Sequence, residues 1–183
     1  MHEVSLGLSI RDYLTGENVE QTTYEDLRQA LARMLVEELE YPSESLVPKV
    51  SVRFPVNGEE YCRTVDLAAH DVTGAPFFFL LFVPGQVNTF VRESLAAARL
   101  AAGGPVPLIA ITDTRDALLL ETATGTCLGE GMQALPRHKH ALQLAAQNPV
   151  PELSADRILK ERKILHTYSE FMKTCCDESL CML

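Results

Sequence analysis

The chain has 183 residues, of which 46% are hydrophobic and 22% are charged, a balance that is ordinary for one globular domain with an appendage. Its net charge of −9 disfavours unspecific attraction to a polyanion, although it leaves room for a local basic patch. The N-terminus has no signal-peptide pattern, and the longest apolar run, residues 75–84, is far shorter than the roughly 20 residues of a membrane helix. We therefore expect a soluble, cytoplasmic protein with no membrane partner.

The five cysteines do not form a recognisable disulfide or zinc pattern. Cys62 and Cys127 lie in apolar contexts, which predicts buried thiols. Cys175, Cys176 and Cys181 crowd the C-terminus, but their spacing differs from the CxxC pairs of structural zinc sites. We interpret them as exposed reduced thiols rather than metal ligands, and we expect no cofactor.

The first part of the chain predicts a lead-in followed by a helix. Residues 1–21 have mixed polarity and a turn signal at 15–18, so we expect an irregular segment with a short strand or turn. Thr23 and Asp26 form a capping-box-like start, and apolar residues then recur at helical spacing. The helix is predicted to end near Tyr41 and Pro42, because proline disfavours helical geometry in the residue before it.

Three strands are predicted next. Residues 47–56 alternate apolar and polar side chains, which is typical of a strand with one wet face. Asn57-Gly58 is a strong hairpin signal, and the returning strand, residues 60–70, contains Asp66 among apolar residues. The third strand, residues 76–83, is apolar on both faces and is predicted to be central. Its run Phe77-Phe78-Phe79 is interpreted as core rather than as a stacking platform for bases.

A second helix and two further strands complete the predicted domain. Apolar spacing indicates a helix from Val87 to Ala98, ended by Gly103-Gly104. Residues 106–112 form a short apolar strand, so strand, helix and strand are predicted to make a right-handed crossover with a parallel pair. Residues 117–122, with Gly125, predict a final hairpin edge.

The C-terminal part predicts two more helices. The first covers about 137–147, where His138 and His140 are interpreted as a solvated helix start rather than a phosphate or metal site. After a linker at 148–151, Ser154 caps a helix with a narrow apolar stripe. We expect this helix to pack back on the domain, with contact to a protein partner as the alternative. The predicted division is 1–22, 23–131 and 132–183.

Several short motifs resemble a known family. The motifs are Arg28-Gln29-Ala30-Leu31 and residues 35–42 on the first helix, Arg63-Thr64-Val65-Asp66 on the second strand, Pro76, Pro84-Gly85, and Thr124-Gly125. Together with the order of helix, three antiparallel strands, helix, strand and strand, they resemble the PD-(D/E)XK nuclease core. More specifically, residues 24–128 resemble the N-terminal domain of type I restriction enzyme R subunits, in a small stand-alone form. The resemblance implies an α/β restriction-endonuclease-like core, here with a C-terminal helical extension.

The resemblance also implies a metal site from which this chain departs. In such nucleases a strand acid and a Glu/Asp-x-Lys triplet on the next strand hold divalent cations, and the lysine positions water. Asp66 corresponds to the strand acid and metal ligand. The triplet falls within residues 80–83, which contain neither acid nor lysine. We therefore expect Asp66 to be vestigial or structural, as a buried acid bonded to a strand end or paired with Arg63 or Arg53.

Three functions remain open from the sequence. The first is a catalytically degenerate module for binding or assembly, with DNA or a restriction-modification component as its partner. The second is an active magnesium-dependent DNA endonuclease in which Glu37 or Glu93, or else Glu25 or Arg92, replaces the missing residues. The third is a protein-interaction module, acting through the C-terminal helix, without a nucleic-acid role.

Overall fold

A computed structural model describes residues 4–175 of the chain, with side chains described for residues 4–170. The described residues form a mixed α/β structure with a six-stranded sheet, a separate two-stranded hairpin and four α-helices. The strands are β1 Ser5–Arg11, β2 Asn18–Thr22, β3 Leu46–Val56, β4 Glu59–His70, β5 Pro76–Phe82, β6 Leu108–Thr112, β7 Ala117–Glu121 and β8 Cys127–Glu130. The α-helices are α1 Thr23–Arg33, α2 Val91–Arg99, α3 His138–Gln147 and α4 Ala155–Cys175. The large sheet has the order β3-β4-β5-β6-β7-β8.

The N-terminal segment is more regular than its sequence predicts. Strands β1 and β2 pair antiparallel, and the predicted turn joins them, with Gly16 at φ 72°. The register of β1 shifts between Ser5 and Ser9, and its side chains do not alternate between buried and exposed positions. The sequence predicted a short strand or turn here, whereas the structure has two paired strands.

Helix α1 begins one residue earlier than predicted. Thr22, not Thr23, is the cap, and its hydroxyl accepts a hydrogen bond from the backbone N–H of Glu25 at 3.0 Å. The chain continues from α1 into a π-helical turn, Met34–Glu38, before Tyr41 and Pro42. The helical segment therefore ends close to its predicted end near Tyr41 and Pro42, while the wider turn at its end was not anticipated.

The central strands match their predicted positions. Strands β3, β4 and β5 are antiparallel neighbours, and β5 lies between β4 and β6. The side chains of Phe77, Phe78 and Phe79 are buried, as predicted for a core strand. The chain then forms a 3₁₀ turn, Val87–Phe90, followed by α2, and β6 returns parallel to β5. Strand β7 pairs antiparallel with β6, and β8 pairs antiparallel with β7 at the edge of the sheet.

The helices cover the sheet on both faces. One hydrophobic cluster joins alternate side chains of β3, β4, β5 and β6 to α2 and α4, while a second joins the opposite face to α1 and α3. Leu165 of α4 is 1% exposed, and Tyr168 Oη donates to the carbonyl of Thr89. The expected packing of α4 against the domain is confirmed for the described side chains; Met172, which the sequence also predicts on the apolar stripe of this helix, lies outside them.

The prediction of buried thiols is wrong for Cys62 and Cys127, since both are exposed. Cys62 lies opposite Arg53 on the β3-β4 ribbon, where side chains point alternately to solvent, and Cys127 lies on the edge strand β8. The side chain of Cys175, and Cys176 and Cys181 entirely, lie outside the described residues. None of the helices within residues 4–175 combines the length and apolar character needed to cross a bilayer.

Candidate functional site

Asp66 lies where strands β4 and β5 begin to separate. The backbone pairing of β4 with β5 ends at Leu67–Leu80, so it stops one residue short of Asp66. Val65 packs on the α2 face of the sheet whereas Leu67 packs on the α1 face, so the normal alternation of β4 breaks at Asp66. On the other side of β4, the facing residue Lys49 has a left-handed backbone with φ 53°. The sheet is therefore distorted around this carboxylate.

The Asp66 carboxylate closes the gap between the two strands. Its Oδ2 accepts the backbone N–H of Phe82 at 2.7 Å, a donor that lies beyond the end of the ladder. Its Oδ1 is buried without a hydrogen-bond partner in the described structure. Burial raises the pKa of Asp66 to about 7, although the Phe82 N–H lowers it. The carboxyl group thus substitutes for a missing backbone acceptor, which is the predicted bond to a strand end.

Strand β5 supplies no second ligand beside Asp66. Leu81 and Val83, two residues apart, are 0% and 1% exposed and belong to the hydrophobic cluster under α2 and α4. A glutamate and a lysine at these positions would place two charges in that cluster. The side chains that replace the expected triplet are therefore integral to the core.

The proposed arginine partners of Asp66 bind other carboxylates. Arg63 Nε donates to Glu93 Oε1 at 2.5 Å, which joins β4 to α2, and Arg63 Nη1 donates to the carbonyl of Thr64. Arg53 lies 3.8 Å from Glu60 in an exposed pair. The predicted pairing of Asp66 with Arg63 or Arg53 is wrong, and the charge of the buried Glu93 is compensated by Arg63.

Glu37 lies apart from this pair, in the π-helical turn after α1. It is exposed, and its Oε1 accepts the hydroxyl of Tyr13 at 3.1 Å. This bond ties the turn to the N-terminal hairpin segment. Glu37 therefore contacts the N-terminal segment, whereas Arg63 binds Glu93.

Glu25 belongs to a buried ionic network at the base of α1. Arg28 bonds both Glu25 and Asp12, and Lys49 Nζ lies 2.8 Å from Glu25 Oε2. Burial raises the pKa of Glu25, but the bonds from Arg28 and Lys49 outweigh it and hold the pKa below its ordinary value. Gln29 also donates to Glu25. The network fastens the N-terminal hairpin and β3 to α1.

These residues do not fit a magnesium site. Magnesium takes about six oxygen ligands in near-octahedral geometry, whereas Asp66 offers one unpartnered oxygen between apolar side chains. Glu25, Glu37 and Glu93 each bind a separate partner. Within the described residues, no three His, Cys, Asp or Glu side chains are grouped so that they could hold a metal ion.

The sequence interpretation missed one concentrated feature, a cationic cleft between α2 and α4. It is lined by five basic side chains from the two helices: Arg92, Arg99, Arg157, Lys160 and Lys163. Each helix does carry its cations at spacings that place them on one face. The sequence gives no sign that α2 and α4 are neighbours, so the combined charge appears only in the fold.

Comparison with known proteins assigns the family. The family model described as Type I restriction enzyme R protein N terminus (HSDR_N) matches residues 23–136, which runs from the start of α1 to the segment before α3. Comparisons with curated proteins and with solved structures gave no significant match. The matched segment contains α1, strands β3 to β8 and α2, and it exceeds half of the chain. The chain therefore belongs to the family of type I restriction enzyme R protein N-terminal domains.

Proposed function

We propose that this chain is a catalytically degenerate restriction-nuclease-like domain that serves as a binding or assembly module in restriction-modification. The observation that carries the proposal is the environment of Asp66. Its carboxylate accepts the Phe82 N–H, and the β5 positions beside it are filled by buried apolar side chains. A single carboxylate of this kind lacks the other ligands that metal-dependent phosphodiester cleavage requires.

The proposal includes a division of the chain and an equivalence of topology. We take residues 23–131 as a restriction-endonuclease-like core, residues 1–22 as its lead-in and residues 132–183 as its helical extension. Helix α1, the antiparallel strands β3 to β5, helix α2 and strands β6 and β7 follow the order of such a core. The family match, which covers residues 23–136, supports this equivalence.

The first test is cleavage of supercoiled and linear DNA with magnesium and then manganese. We expect the wild type and Asp66→Asn to be equally inert. Glu38→Gln is the matched control, because Glu38 is an exposed acid near the end of the first helical segment. Nicking by the wild type and by Glu38→Gln that disappears in Asp66→Asn would show an active nuclease, whose further ligands would then be sought among Glu25, Glu37 and Glu93.

The second test distinguishes the partner. Binding of duplex DNA that weakens steeply as salt rises would support a nucleic-acid role, because each neutralised phosphate releases counterions. The net charge of −9 limits such binding to a local surface. If duplex DNA does not bind at low salt, the partner is a protein component of a restriction-modification system or another protein.

A further inference from the structure

A cleft of about 500 Å³ lies between α2 and α4, away from Asp66 and from the ionic network at α1. It collects five of the chain's sixteen basic side chains: Arg92, Arg99, Arg157, Lys160 and Lys163. Among its lining residues only Glu161 is acidic, and Leu95 and Ile164 give it an apolar floor. In a chain of net charge −9, this cleft is a marked concentration of positive charge.

Two of the cations are already bound to the single acid of the cleft. Glu161 Oε1 accepts Arg99 Nη1 at 3.1 Å and also Arg157 Nε, so two guanidinium groups share one carboxylate oxygen. Burial lowers the pKa of Arg99, and the neighbouring charge of Arg157 lowers it further, against the attraction of Glu161. Two positive charges against one negative charge leave an excess that a bound anion would balance.

The other three cations are available to a ligand. Arg92 and Lys163 are exposed on opposite helices, and within the described residues neither side chain forms a hydrogen bond or an ion pair. The hydrogen bond and charge of Lys160 lower the pKa of Asp156, and the charge of Lys163 adds to this effect. Lys160 lies 2.7 Å from Asp156, but both side chains are more than half exposed, at 67% and 76%. Exposed pairs of this kind contribute little to stability, so Lys160 can exchange Asp156 for a stronger anion.

We propose that this cleft binds a small phosphorylated molecule. Arg92, Lys160 and Lys163 would hold its phosphate groups, because guanidinium and ammonium groups make strong charge-assisted bonds to phosphate oxygens. The uncharged part of the ligand would lie against Leu95 and Ile164. This site is distinct from the degenerate nuclease position, and five of its nine lining residues come from α4, which lies outside the family-matched segment.

The size of the cleft favours a small ligand over a DNA duplex. Pockets for small molecules commonly measure about 300–1,000 Å³, and this cleft falls in that range. Duplex binding usually neutralises about 6–10 phosphates along an extended surface. Here the cations that are available to a ligand, Arg92, Lys160 and Lys163, are gathered at one site rather than along an extended surface. Because the ligand would touch both helices, its binding should also fasten α4 to the domain and raise the melting temperature.

The test is calorimetric titration of the full chain at about 0.15 M salt, where unspecific surface attraction is screened. The probes are inorganic phosphate, pyrophosphate and ATP, with citrate as a polyanion that has no phosphate. We expect at least one phosphate probe to bind with a dissociation constant below about 1 mM. Arg92→Ala and Lys163→Ala should each weaken that binding about tenfold or more, since each removes a charge-assisted contact. Arg115→Ala, which changes an exposed arginine elsewhere, should bind like the wild type.

Because Arg92 and Lys163 are exposed, their variants should fold like the wild type, and unchanged melting temperatures without ligand would verify this. The proposal is overturned if none of the phosphate probes binds, if citrate binds equally well, or if both variants bind like the wild type. Binding of duplex DNA that is lost in the same two variants, without binding of any phosphate probe, would assign the cleft to nucleic acid and would also overturn it. None of these outcomes depends on whether Asp66 supports cleavage.

Discussion

At the scale of single residues, Asp66 makes a structural contact inside the sheet. Its Oδ2 satisfies the Phe82 N–H at the point where β4 and β5 separate, and an unsatisfied buried donor would cost about 1–3 kcal/mol. The same burial makes the ionised form unfavourable. Burial therefore favours the protonated form of Asp66 over the ionised form.

The raised pKa of Asp66 gives a pH-dependent prediction. The folded-state pKa is about 7, above the ordinary value of 3.8, so the folded form retains a proton that the unfolded form loses as pH rises from 4 to 7. The free energy of unfolding of the wild type should therefore fall over that interval. Relative to Asp66→Asn, the loss should reach about 4 kcal/mol. Urea unfolding of both proteins at several pH values from 4 to 8 measures this difference. A constant difference across that range would contradict the raised pKa.

Arg28 is the second residue on which a prediction rests. It is 1% exposed and bonds both Asp12 and Glu25, so Arg28→Ala would leave two buried carboxylates without that counter-charge. We expect a loss of about 3–5 kcal/mol in the free energy of unfolding at pH 7. Arg115→Ala, an exposed arginine variant, should change stability by less than about 0.5 kcal/mol.

The pH dependence around Arg28 should run opposite to that of Asp66. Burial raises the pKa values of Asp12 and Glu25, but their hydrogen bonds and the charge of Arg28 outweigh it and lower both. Their stabilising contribution is present above the unfolded-state pKa of about 4 and is lost as pH falls through the folded-state values. Urea unfolding should therefore show a smaller difference between the wild type and Arg28→Ala at pH 3 than at pH 7. An equal difference at both would show that lost packing, not charge, dominates.

At the scale of elements, the sequence predicted what depends on local periodicity. Strand β5 is uniformly apolar because it lies between two strands and two helical layers, and its central position followed from that pattern. The hairpin at Asn57-Gly58 followed from turn chemistry. By contrast, the irregular β1 has no buried alternation, and the apolar spacing of α1 runs without interruption into the π-helical turn.

The contacts around the candidate site were beyond sequence reasoning because they are not local. Arg63 and Glu93 are 30 residues apart, and Arg99 and Glu161 are 62 residues apart. Asp66 was predicted to be a buried acid with a bond to a strand end, which the fold explains by the separation of β4 and β5. The choice of Phe82 N–H as its partner required the register of both strands, and a single sequence does not give it.

One buried carboxylate, that of Glu161, joins helix α4 to α2 by an ion pair. Glu161 is 1% exposed and is bonded by Arg99 of α2 and Arg157 of its own helix. Glu161→Gln keeps the shape but removes the charge that balances the buried Arg99, so we expect about 3 kcal/mol of destabilisation and faster proteolysis within α4. Asp156→Asn is the control, since that acid forms an exposed pair on the same helix. Equal proteolysis of the two variants would show that apolar contacts such as Leu165 are sufficient.

At the scale of the whole molecule, the layers of the fold differ in how firmly they are held. Helix α4 contributes Leu165 to the cluster that also contains Phe79, Leu81 and Ile109, so its central turns should open only when the sheet unfolds. The hairpin β1-β2 lies outside the large sheet, and Leu6 and Leu8 of β1 are exposed. Contacts such as Asp12–Arg28 and Tyr13–Glu37 attach it to the first helical segment, and we expect its backbone to open at a lower free energy.

Hydrogen exchange detected by mass spectrometry measures this order. Peptides from β5 and from residues 158–166 of α4 should have similar protection, close to the global stability, while peptides from residues 5–22 should exchange earlier. Urea below the unfolding midpoint should lower the protection of β5 and α4 together, because they share one core. If residues 158–166 exchanged far faster than β5, the C-terminal helix would be an independent extension. The cleft between α2 and α4 would then be a surface that forms and opens while the sheet remains folded.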